Sequence, residues 1–245
     1  MEKYYIENTV KSYEVDVFGR ITLPNIFYYF QEAANNHASA LNWGWEYLTS
    51  IQKFWVLSRL RLKIDYYPTE KDKITIETWS RGAIGFFAYR DYRILLGGKC
   101  CMNATSSWII LDHESHRPCK TDQLEKKIPG ISESYLSFPE SRIQALNQKT
   151  LLMEKKVNFS DIDKNKHVNN GKYIEILTDS ISDILIEPKT IQEIDIQYIQ
   201  ESKLNDQLII YSETDFSNTN SAQLLLNVEK KLDGKEICRS SIFFQ

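Results

Sequence analysis

One short polar run in the second half of the chain holds side chains that could do chemistry. Asp163, Asn165 and His167 alternate along Asp163-Lys164-Asn165-Lys166-His167. Because alternate residues of an extended segment face the same side, a carboxylate, an amide and an imidazole are predicted to converge there. Such a set can activate a water molecule against a carbonyl group. The same composition is also typical of a solvated turn, so the run alone does not identify an enzyme.

Two further features extend this candidate site. Asn169 and Asn170 follow directly and can cap the start of a helix. The free N–H groups at such a helix start suit a developing oxyanion. Glu201 follows an apolar strand-like segment and supplies a second carboxylate. Taken alone, Glu201 is more simply interpreted as an exposed residue at a strand end, because glutamate is usually exposed.

The remaining histidines and the cysteines indicate packing or turns. His37 falls on the apolar side of a predicted helix and is interpreted as a core residue, while His113 and His116 lie in a turn-forming stretch. The four cysteines have neither metal-type nor disulfide-type spacing, which favours packing roles in a reducing cytoplasm. The sequence has no Gly-x-Ser-x-Gly elbow, P-loop, dinucleotide fingerprint or zinc-helix motif, which disfavours common serine hydrolases and nucleotide-dependent enzymes.

The elements that would position the polar groups occur twice along the chain. Placing Asp16 on Asp161, an offset of 161 − 16 = 145 residues, aligns two stretches of strand, polar loop and amphipathic helix. Apolar residues recur at helical spacing over residues 26–38 in the first copy and 173–185 in the second, where the helix is predicted to stop before Pro188. The repeat predicts two copies of one structural unit.

The two copies differ where the chemistry would be. With this offset Phe18, Arg20 and Thr22 of the first copy stand at the places of the polar set in the second. A separate alignment of the following strands, with an offset of 134 residues, puts Tyr67 opposite Glu201. The second copy therefore carries the ionisable groups.

Strand-like segments follow each predicted helix and define the fold class. In the first half they cover residues 56–65, 73–79, 86–95 and 102–111, and in the second half 191–198, 208–213, 223–231 and 236–244. This order predicts an α+β fold with two antiparallel sheets, each covering one long helix. The predicted division is a first unit over 1–135, a linker over 136–150 and a second unit over 151–245.

Bulk composition excludes several classes of protein. The 245 residues are 42% hydrophobic and 26% charged, an ordinary globular balance, and the net charge of −3 gives no general attraction to nucleic acid or anionic membranes. No stretch approaches the roughly 20 apolar residues of a membrane span. The first residues resemble neither a secretory signal nor a transit peptide, which favours a cytoplasmic location.

The polar run resembles a known active-site signature. The segment from Asp163 to Ile174 is similar to that of acyl-acyl-carrier-protein thioesterases, plant plastid and bacterial, and Tyr198 to Ser202 resembles the segment that bears their catalytic glutamate. Other segments resemble the first helix and the next strands of that family, namely residues 19–23, 31–34, 37–38, 55–61, 64–65, 67–68 and 77–79. The resemblance covers nearly the whole chain.

This resemblance implies a double hot-dog fold, in which two helix-wrapping sheets lie in one polypeptide. It also implies Asp163, Asn165, His167 and Glu201 as catalytic residues. The expected reaction is hydrolysis of fatty acyl chains from acyl carrier protein, which ends fatty acid synthesis, with no metal or organic cofactor. The absence of a transit peptide fits a bacterial member or a mature form.

The resemblance also places the acyl chain largely in the first half. Phe27, Phe30 and Ala34 would line its pocket, and Asn169 and Asn170 would contribute at the reacting end. Each CH₂ group buried in such a pocket is worth about 0.8 kcal/mol. Pocket depth would therefore set the preferred chain length, which the sequence does not reveal.

Several alternatives stay open at this point. Water activated by Glu201 or His167 competes with attack by the Asp163 carboxylate, and Ser202 excludes a thiol nucleophile where many plant members have cysteine. A coenzyme-A thioesterase, a dehydratase of the same fold and a non-catalytic acyl-binding protein are the rival functions. The oligomeric state is open, and a homodimer is compatible with the sequence.

Overall fold

Each half of the chain builds one antiparallel sheet around one helix. The computed structural model describes residues 2–139, 142–186, 189–215 and 223–244. The chain divides into two units, Met1–Phe138 and Pro139–Gln245, so that the boundary falls inside the segment predicted as a linker. Within the described ranges no helix is long and apolar enough to cross a membrane.

The first unit contains five strands and two helices. The strands are β1 (Tyr4–Thr9), β2 (Lys53–Ile64), β3 (Lys73–Ile84), β4 (Phe87–Leu96) and β5 (Lys99–Asp112), and the helices are α1 (Leu23–Ala40) and α2 (Trp45–Ser50). Neighbouring strands pair antiparallel in the order β1-β3-β4-β5-β2. The four predicted strands are present, whereas β1 and α2 were not predicted.

Helix α1 lies against the inner face of this sheet. Thr22 is its N-cap residue and Pro24 stands in its first turn, where the missing proline N–H costs nothing. Its apolar face is buried, and the ring of Phe30 contacts that of Tyr92 on β4 with centroids 4.7 Å apart. His37 is only 3% exposed, which confirms the core position predicted for it.

The second unit repeats this plan. Its strands are β6 (Thr150–Lys156), β7 (Ile191–Tyr198), β8 (Gln207–Asp215), β9 (Gln223–Lys230) and β10 (Glu236–Phe244), and its helices are α3 (Asn170–Ser180) and α4 (Ser182–Leu185). Neighbouring strands pair antiparallel in the order β7-β10-β9-β8-β6. The inner face of α3 is buried, and Tyr173 packs edge-on against Tyr198 of β7.

The second helix is shorter than predicted. Helix α3 ends at Ser180, and Ile181, with φ −119°, separates it from the short helix α4. The Thr178 hydroxyl donates to the Ile174 carbonyl at 2.8 Å, and the Ser180 hydroxyl donates to the Leu177 carbonyl at 2.8 Å. Such side-chain bonds compete with the helical ladder and favour a helix end. Pro188, at which the helix was predicted to stop, lies outside the described residues.

The segment predicted as a linker is attached at several points. An Arg61 Nη1 donates to the Ser137 carbonyl at 2.5 Å in the first unit, and an Arg239 Nη1 donates to the Ile143 carbonyl at 3.1 Å in the second. The last residue of the predicted linker, Thr150, already belongs to β6. The prediction relied on the lack of apolar periodicity in this segment. Periodicity does not reveal contacts that a segment makes through its backbone carbonyl groups.

Candidate active site

A tight loop between the paired residues Ile162 and Val168 carries the polar run. The Asp163 N–H donates to the His167 carbonyl at 2.8 Å, and the Lys166 N–H donates to the Asp163 carbonyl at 3.0 Å. Lys166 has φ +66°, in the left-handed region. The prediction of an extended segment with alternating sides is therefore wrong. The run is a turn, because its backbone groups bond to one another.

The Asp163 carboxylate holds this turn in shape. Its Oδ1 accepts the Asn165 N–H at 2.8 Å and the His167 N–H at 3.3 Å. Its Oδ2 lies 3.4 Å from the Asn165 side-chain nitrogen, so these two predicted site residues do meet. Hydrogen bonds from N–H groups to an ionised acceptor are stronger than neutral ones. Asp163 is thus engaged by the loop backbone.

His167 and Glu201 form a direct side-chain contact. His167 Nε2 lies 3.1 Å from Glu201 Oε2, with the side chains 19% and 33% exposed. The Val168 N–H donates to the Ser202 carbonyl at 2.9 Å, which ties the loop to the segment after β7. His167 directly precedes Val168, and Glu201 directly precedes Ser202. This backbone hydrogen bond therefore brings the imidazole and the carboxylate close together.

The contact also fixes which atoms remain available. With Nε2 donating to Glu201, a neutral His167 has an acceptor lone pair on Nδ1. In the part of the chain that the structure describes, neither Nδ1 of His167 nor Oε1 of Glu201 has a hydrogen-bond partner. Both atoms are candidate general bases.

The start of α3 adds a backbone donor. Asn169 caps the helix, since its Oδ1 accepts the Gly171 N–H at 2.8 Å, and its own N–H donates to the Asp161 carbonyl at 2.9 Å. The Asn170 carbonyl accepts the Tyr198 hydroxyl at 3.1 Å. Among the residues described, none accepts the Asn170 N–H. That group is a candidate oxyanion donor at a helix N-terminus.

Two buried hydroxyl groups lie behind this surface. Ser202 is 0% exposed, and neither its hydroxyl nor that of Tyr173 has a hydrogen-bond partner among the described residues. Burial raises the pKa of Tyr173 far above its usual range. Because Ser202 is buried, its hydroxyl is not placed to attack a substrate.

The first copy contains the same loop. Val15 and Ile21 pair as Ile162 and Val168 do. The Asp16 N–H donates to the Arg20 carbonyl at 2.7 Å, and Asp16 Oδ1 accepts the Phe18 and Arg20 N–H groups at 2.9 and 3.0 Å.

These bonds correct the alignment of the two copies. The counterpart of Asp163 is Asp16, an offset of 163 − 16 = 147, so the offset of 145 and the placement of Thr22 opposite His167 are wrong. The second alignment holds, because the Thr69 N–H bonds to Asp72 at 2.7 Å as the Lys203 N–H bonds to Asp206 at 2.8 Å.

The corrected alignment shows what the first copy lacks. Phe18 replaces Asn165, Arg20 replaces His167, and Tyr67 replaces Glu201. Arg20 is paired with Asp16 at 2.9 Å and lies 5.7 Å from the centre of the Tyr67 ring. The scaffold of the loop is therefore retained in both copies, whereas the imidazole–carboxylate pair occurs in the second alone.

The residues predicted to line the acyl pocket lie in the core of the first unit. Phe27, Phe30 and Ala34 are buried on the face of α1 that packs against the sheet. Their contact with an acyl chain stays a prediction.

The remaining histidines take no part in this site. Burial, and then the charge of Arg90, lowers the pKa of His37 to about 4, and an Arg90 Nη1 lies 2.8 Å from His37 Nδ1. His113 and His116 contact the ring of Phe54 edge-on. Across the described ranges there is no group of three or more histidine, cysteine or acidic side chains arranged as metal ligands.

Two sheet-wrapped helices in one chain, with a polar pair at the start of the second helix, define a double hot-dog protein. The N-terminal domain model of the acyl-ACP thioesterases matches residues 1–126, and the C-terminal domain model of the same family matches residues 144–245. The chain belongs to the acyl-ACP thioesterase family. The resemblance noted in the sequence is thereby confirmed.

Individual relatives agree with this assignment. The oleoyl-acyl carrier protein thioesterase 1 of Arabidopsis thaliana is 29% identical over 225 residues, which cover 80% of this chain and 60% of that protein. An acyl-ACP thioesterase from Bacteroides thetaiotaomicron is 26% identical, with a TM-score of 0.88, covering 99% of this chain and 98% of the other. The 12:0-ACP thioesterase of Umbellularia californica shares the fold, with a TM-score of 0.83 and 18% identity. The match covers 99% of this chain and 94% of the other.

These structures confirm the predicted double hot-dog fold. The chain spans about three fifths of the length of the Arabidopsis relative it matches.

Proposed function

We propose that the chain hydrolyses fatty acyl thioesters of acyl carrier protein, giving a free fatty acid and the carrier thiol. The observation that carries this proposal is the 3.1 Å contact between the partly exposed side chains of His167, three residues before the start of α3, and Glu201. The chain's membership in the acyl-ACP thioesterase family supports the choice of substrate. The two copies share a loop scaffold, but only the second carries the imidazole and the carboxylate. The second unit is therefore the proposed site of reaction.

The proposed step is direct attack by water. A base removes a proton from water as its oxygen attacks the thioester carbonyl carbon, and the Asn170 N–H stabilises the oxyanion. The carbon–sulfur bond then breaks, and the protonated base returns the proton to the leaving thiolate. Asn165 is close enough to the loop carboxylate to be oriented by it and would position the water or the carbonyl group.

The base is His167 Nδ1 or Glu201 Oε1, and Glu201→Gln separates the two. A glutamine keeps a hydrogen-bonding oxygen beside His167 but is not a base. If His167 is the base, Glu201 only orients it, and we expect a loss of about 10- to 100-fold in kcat, at or below the low end of the roughly 10²–10⁴-fold that a general base itself contributes. A loss of roughly 10⁴-fold with a flat pH profile would identify Glu201 instead.

The direct test is release of free acid from a panel of acyl-carrier-protein and acyl-coenzyme-A thioesters. We expect wild type to hydrolyse carrier thioesters, and His167→Ala and Glu201→Ala to lose activity while remaining folded. Arg20→Ala changes the matching position of the first copy and serves as the control, with activity close to wild type. Equal turnover of coenzyme A thioesters would replace the carrier by coenzyme A as substrate, and no turnover of any thioester would overturn the proposal.

The place of the reaction in the cell is a separate proposal. The cysteines, Cys100, Cys101, Cys119 and Cys238, are all unpaired, which is the state expected in a reducing compartment. This supports the cytoplasmic location predicted from the sequence. Several plant relatives, by contrast, are chloroplastic proteins.

A further inference from the structure

One peptide group connects the loop of the candidate site to the segment after β7. Its carbonyl belongs to Ser202 and accepts the Val168 N–H at 2.9 Å, and its N–H belongs to Lys203 and donates to Asp206 Oδ2 at 2.8 Å. A peptide group is planar, so bonds at its two ends fix the orientation of the plane. The imidazole and the carboxylate of the candidate site are carried by the residues directly before Val168 and Ser202. The Asp206 carboxylate therefore holds the peptide group that keeps them together.

An ammonium group holds this carboxylate in turn. Lys230 is the last residue of β9, and its Nζ lies 2.9 Å from Asp206 Oδ2, with the side chains 21% and 28% exposed. We propose that Asp206 and Lys230 are positioning residues for the proposed hydrolysis, an inference that rests on that function. Their ion pair restrains the peptide plane, and the plane keeps His167 and Glu201 at their 3.1 Å contact.

The first copy builds the same turn in a different way. The Pro68 carbonyl accepts the Ile21 N–H at 2.9 Å, and Asp72 Oδ2 accepts the Thr69 N–H at 2.7 Å. The Thr69 hydroxyl donates to the same oxygen at 3.0 Å, which gives the carboxylate a second bond from within the turn. The peptide group and its aspartate are thus common to both copies.

The lysine is specific to the second copy. With the offset of 134 residues and the matching sheet register, Leu96 is the counterpart of Lys230. Lys203 stands at the place of Thr69 and has no hydroxyl to offer. A bond between two ionised groups is stronger than one from a neutral hydroxyl, and this one also attaches the turn to β9. The firmer attachment is therefore present in the copy that carries the imidazole and the carboxylate.

Lys230→Leu introduces the residue of the first copy and tests the proposal. We expect kcat for an acyl-N-acetylcysteamine thioester to fall about three- to fivefold with KM nearly unchanged, because the ion pair orients reacting groups and does not bind substrate. This substrate is uncharged, so the lost lysine charge has no direct effect on its binding. Lys231→Leu is the matched control. Lys231 pairs with Glu154 at 2.7 Å outside this turn, and its replacement should leave kcat unchanged.

A rescue experiment separates positioning from general stability. Lys203→Thr supplies the hydroxyl with which the first copy holds its own aspartate. Adding it to Lys230→Leu should restore kcat to within about twofold of wild type, since the two changes act on one carboxylate. The proposal is overturned by an unchanged kcat in Lys230→Leu, by an equal loss in Lys231→Leu, or by a double variant that stays as slow as Lys230→Leu.

Amide hydrogen exchange tests the same restraint without a substrate. The Val168 N–H should exchange about three- to fivefold faster in Lys230→Leu than in wild type, because local opening of the turn becomes easier. The double variant should return to the wild-type rate. Exchange at the wild-type rate in Lys230→Leu would also overturn the proposal. Failure of the proposed function gives a different result, since wild type would then hydrolyse no thioester while Val168 exchange still responded to the variant.

Discussion

Asp163→Asn separates a carboxylate that shapes the loop from one that attacks the substrate. The Asp163 Oδ1 accepts two backbone N–H groups, at 2.8 and 3.3 Å, and asparagine keeps an oxygen there. A hydrogen bond to a charged acceptor contributes about 1.5–3 kcal/mol and a neutral one about 0.5–1.5 kcal/mol. The substitution should therefore weaken the loop by roughly 1–2 kcal/mol in total, toward the lower end because the residue is half-exposed.

This loss translates into a bounded effect on rate. If all of it falls on the catalytic geometry, kcat drops about 5- to 30-fold, since 1.36 kcal/mol corresponds to a factor of ten. Removal of a nucleophile would instead cost roughly 10⁴-fold or more. Measuring kcat for hydrolysis of an acyl-acyl-carrier-protein thioester at saturating substrate distinguishes the two ranges.

The first copy supplies the matched control. Asp16→Asn changes the same two backbone bonds and the pair with Arg20, but in a loop without the imidazole and carboxylate. We expect it to lower the urea midpoint at least as much as Asp163→Asn does, with little change in kcat. The comparison separates loss of loop structure from loss of chemistry.

An isotope experiment provides the refutation. Repeated turnover in ¹⁸O water would place ¹⁸O in the Asp163 side chain if an anhydride formed and water then attacked the aspartyl carbonyl. Mass spectrometry of the Asp163 peptide should show no such label, with the free acid carrying the water oxygen. Label in that peptide, or a loss near 10⁴-fold in folded Asp163→Asn, would show that the carboxylate attacks the substrate.

Three further predictions concern stability. Tyr173→Phe removes a buried hydroxyl that has no partner among the described residues, so the unfolding free energy in urea should stay equal or rise by up to about 1 kcal/mol; a fall of that size would reveal a partner for the hydroxyl. Asn169→Ala removes the cap of α3 and should lower the unfolding free energy by about 1 kcal/mol, whereas an unchanged urea midpoint would mean that the cap contributes nothing. The pKa of His37 falls from 6.5 to about 4 on folding, so unfolded chains bind more protons between these values. The unfolding free energy should therefore fall as pH drops from 6.5 to 4, by on the order of 2 kcal/mol, and His37→Gln should remove that part of a urea series; an identical pH dependence in both would contradict the assignment.

Residue types and periodicity were enough to predict the broad plan of the molecule. The eight predicted strand segments are all strands in the structure. Several of them, such as β3 and β9, bury consecutive residues and therefore both faces, so their apolar content indicated a strand more than strict alternation did. The strands that were missed, β1 and β6, stand at an end of the sheet order in their units. The β6 side chains are mostly exposed, so the apolar alternation that reveals a strand is weak there.

Residue types in the sequence were enough to predict the location of the candidate site, but they did not predict its geometry. Hydrogen bonds from backbone N–H groups to Asp163 decide the shape of the turn, and such bonds leave no mark on hydropathy. A useful signal was nevertheless present in the sequence. Asp16 and Asp163 each stand three residues before a residue with positive φ, Gly19 or Lys166, as expected for a turn that begins with aspartate. Aligning these turns would have given the offset of 147.

The same loop scaffold carries different side chains in the two copies. Asp16 and Asp163 make the same backbone bonds, so the turn forms whichever side chains stand at its outward positions. In the first copy an arginine at one such position pairs with the loop aspartate, whereas in the second a histidine there reaches Glu201 instead. Arg20 forms an ion pair with Asp16 and lies near the ring of Tyr67. Since Arg20 and Tyr67 stand at the positions of His167 and Glu201, the first loop has no imidazole–carboxylate pair. The chemistry that we propose thus depends on two side chains, His167 and Glu201, whose positions hold other residues on the same backbone in the first copy.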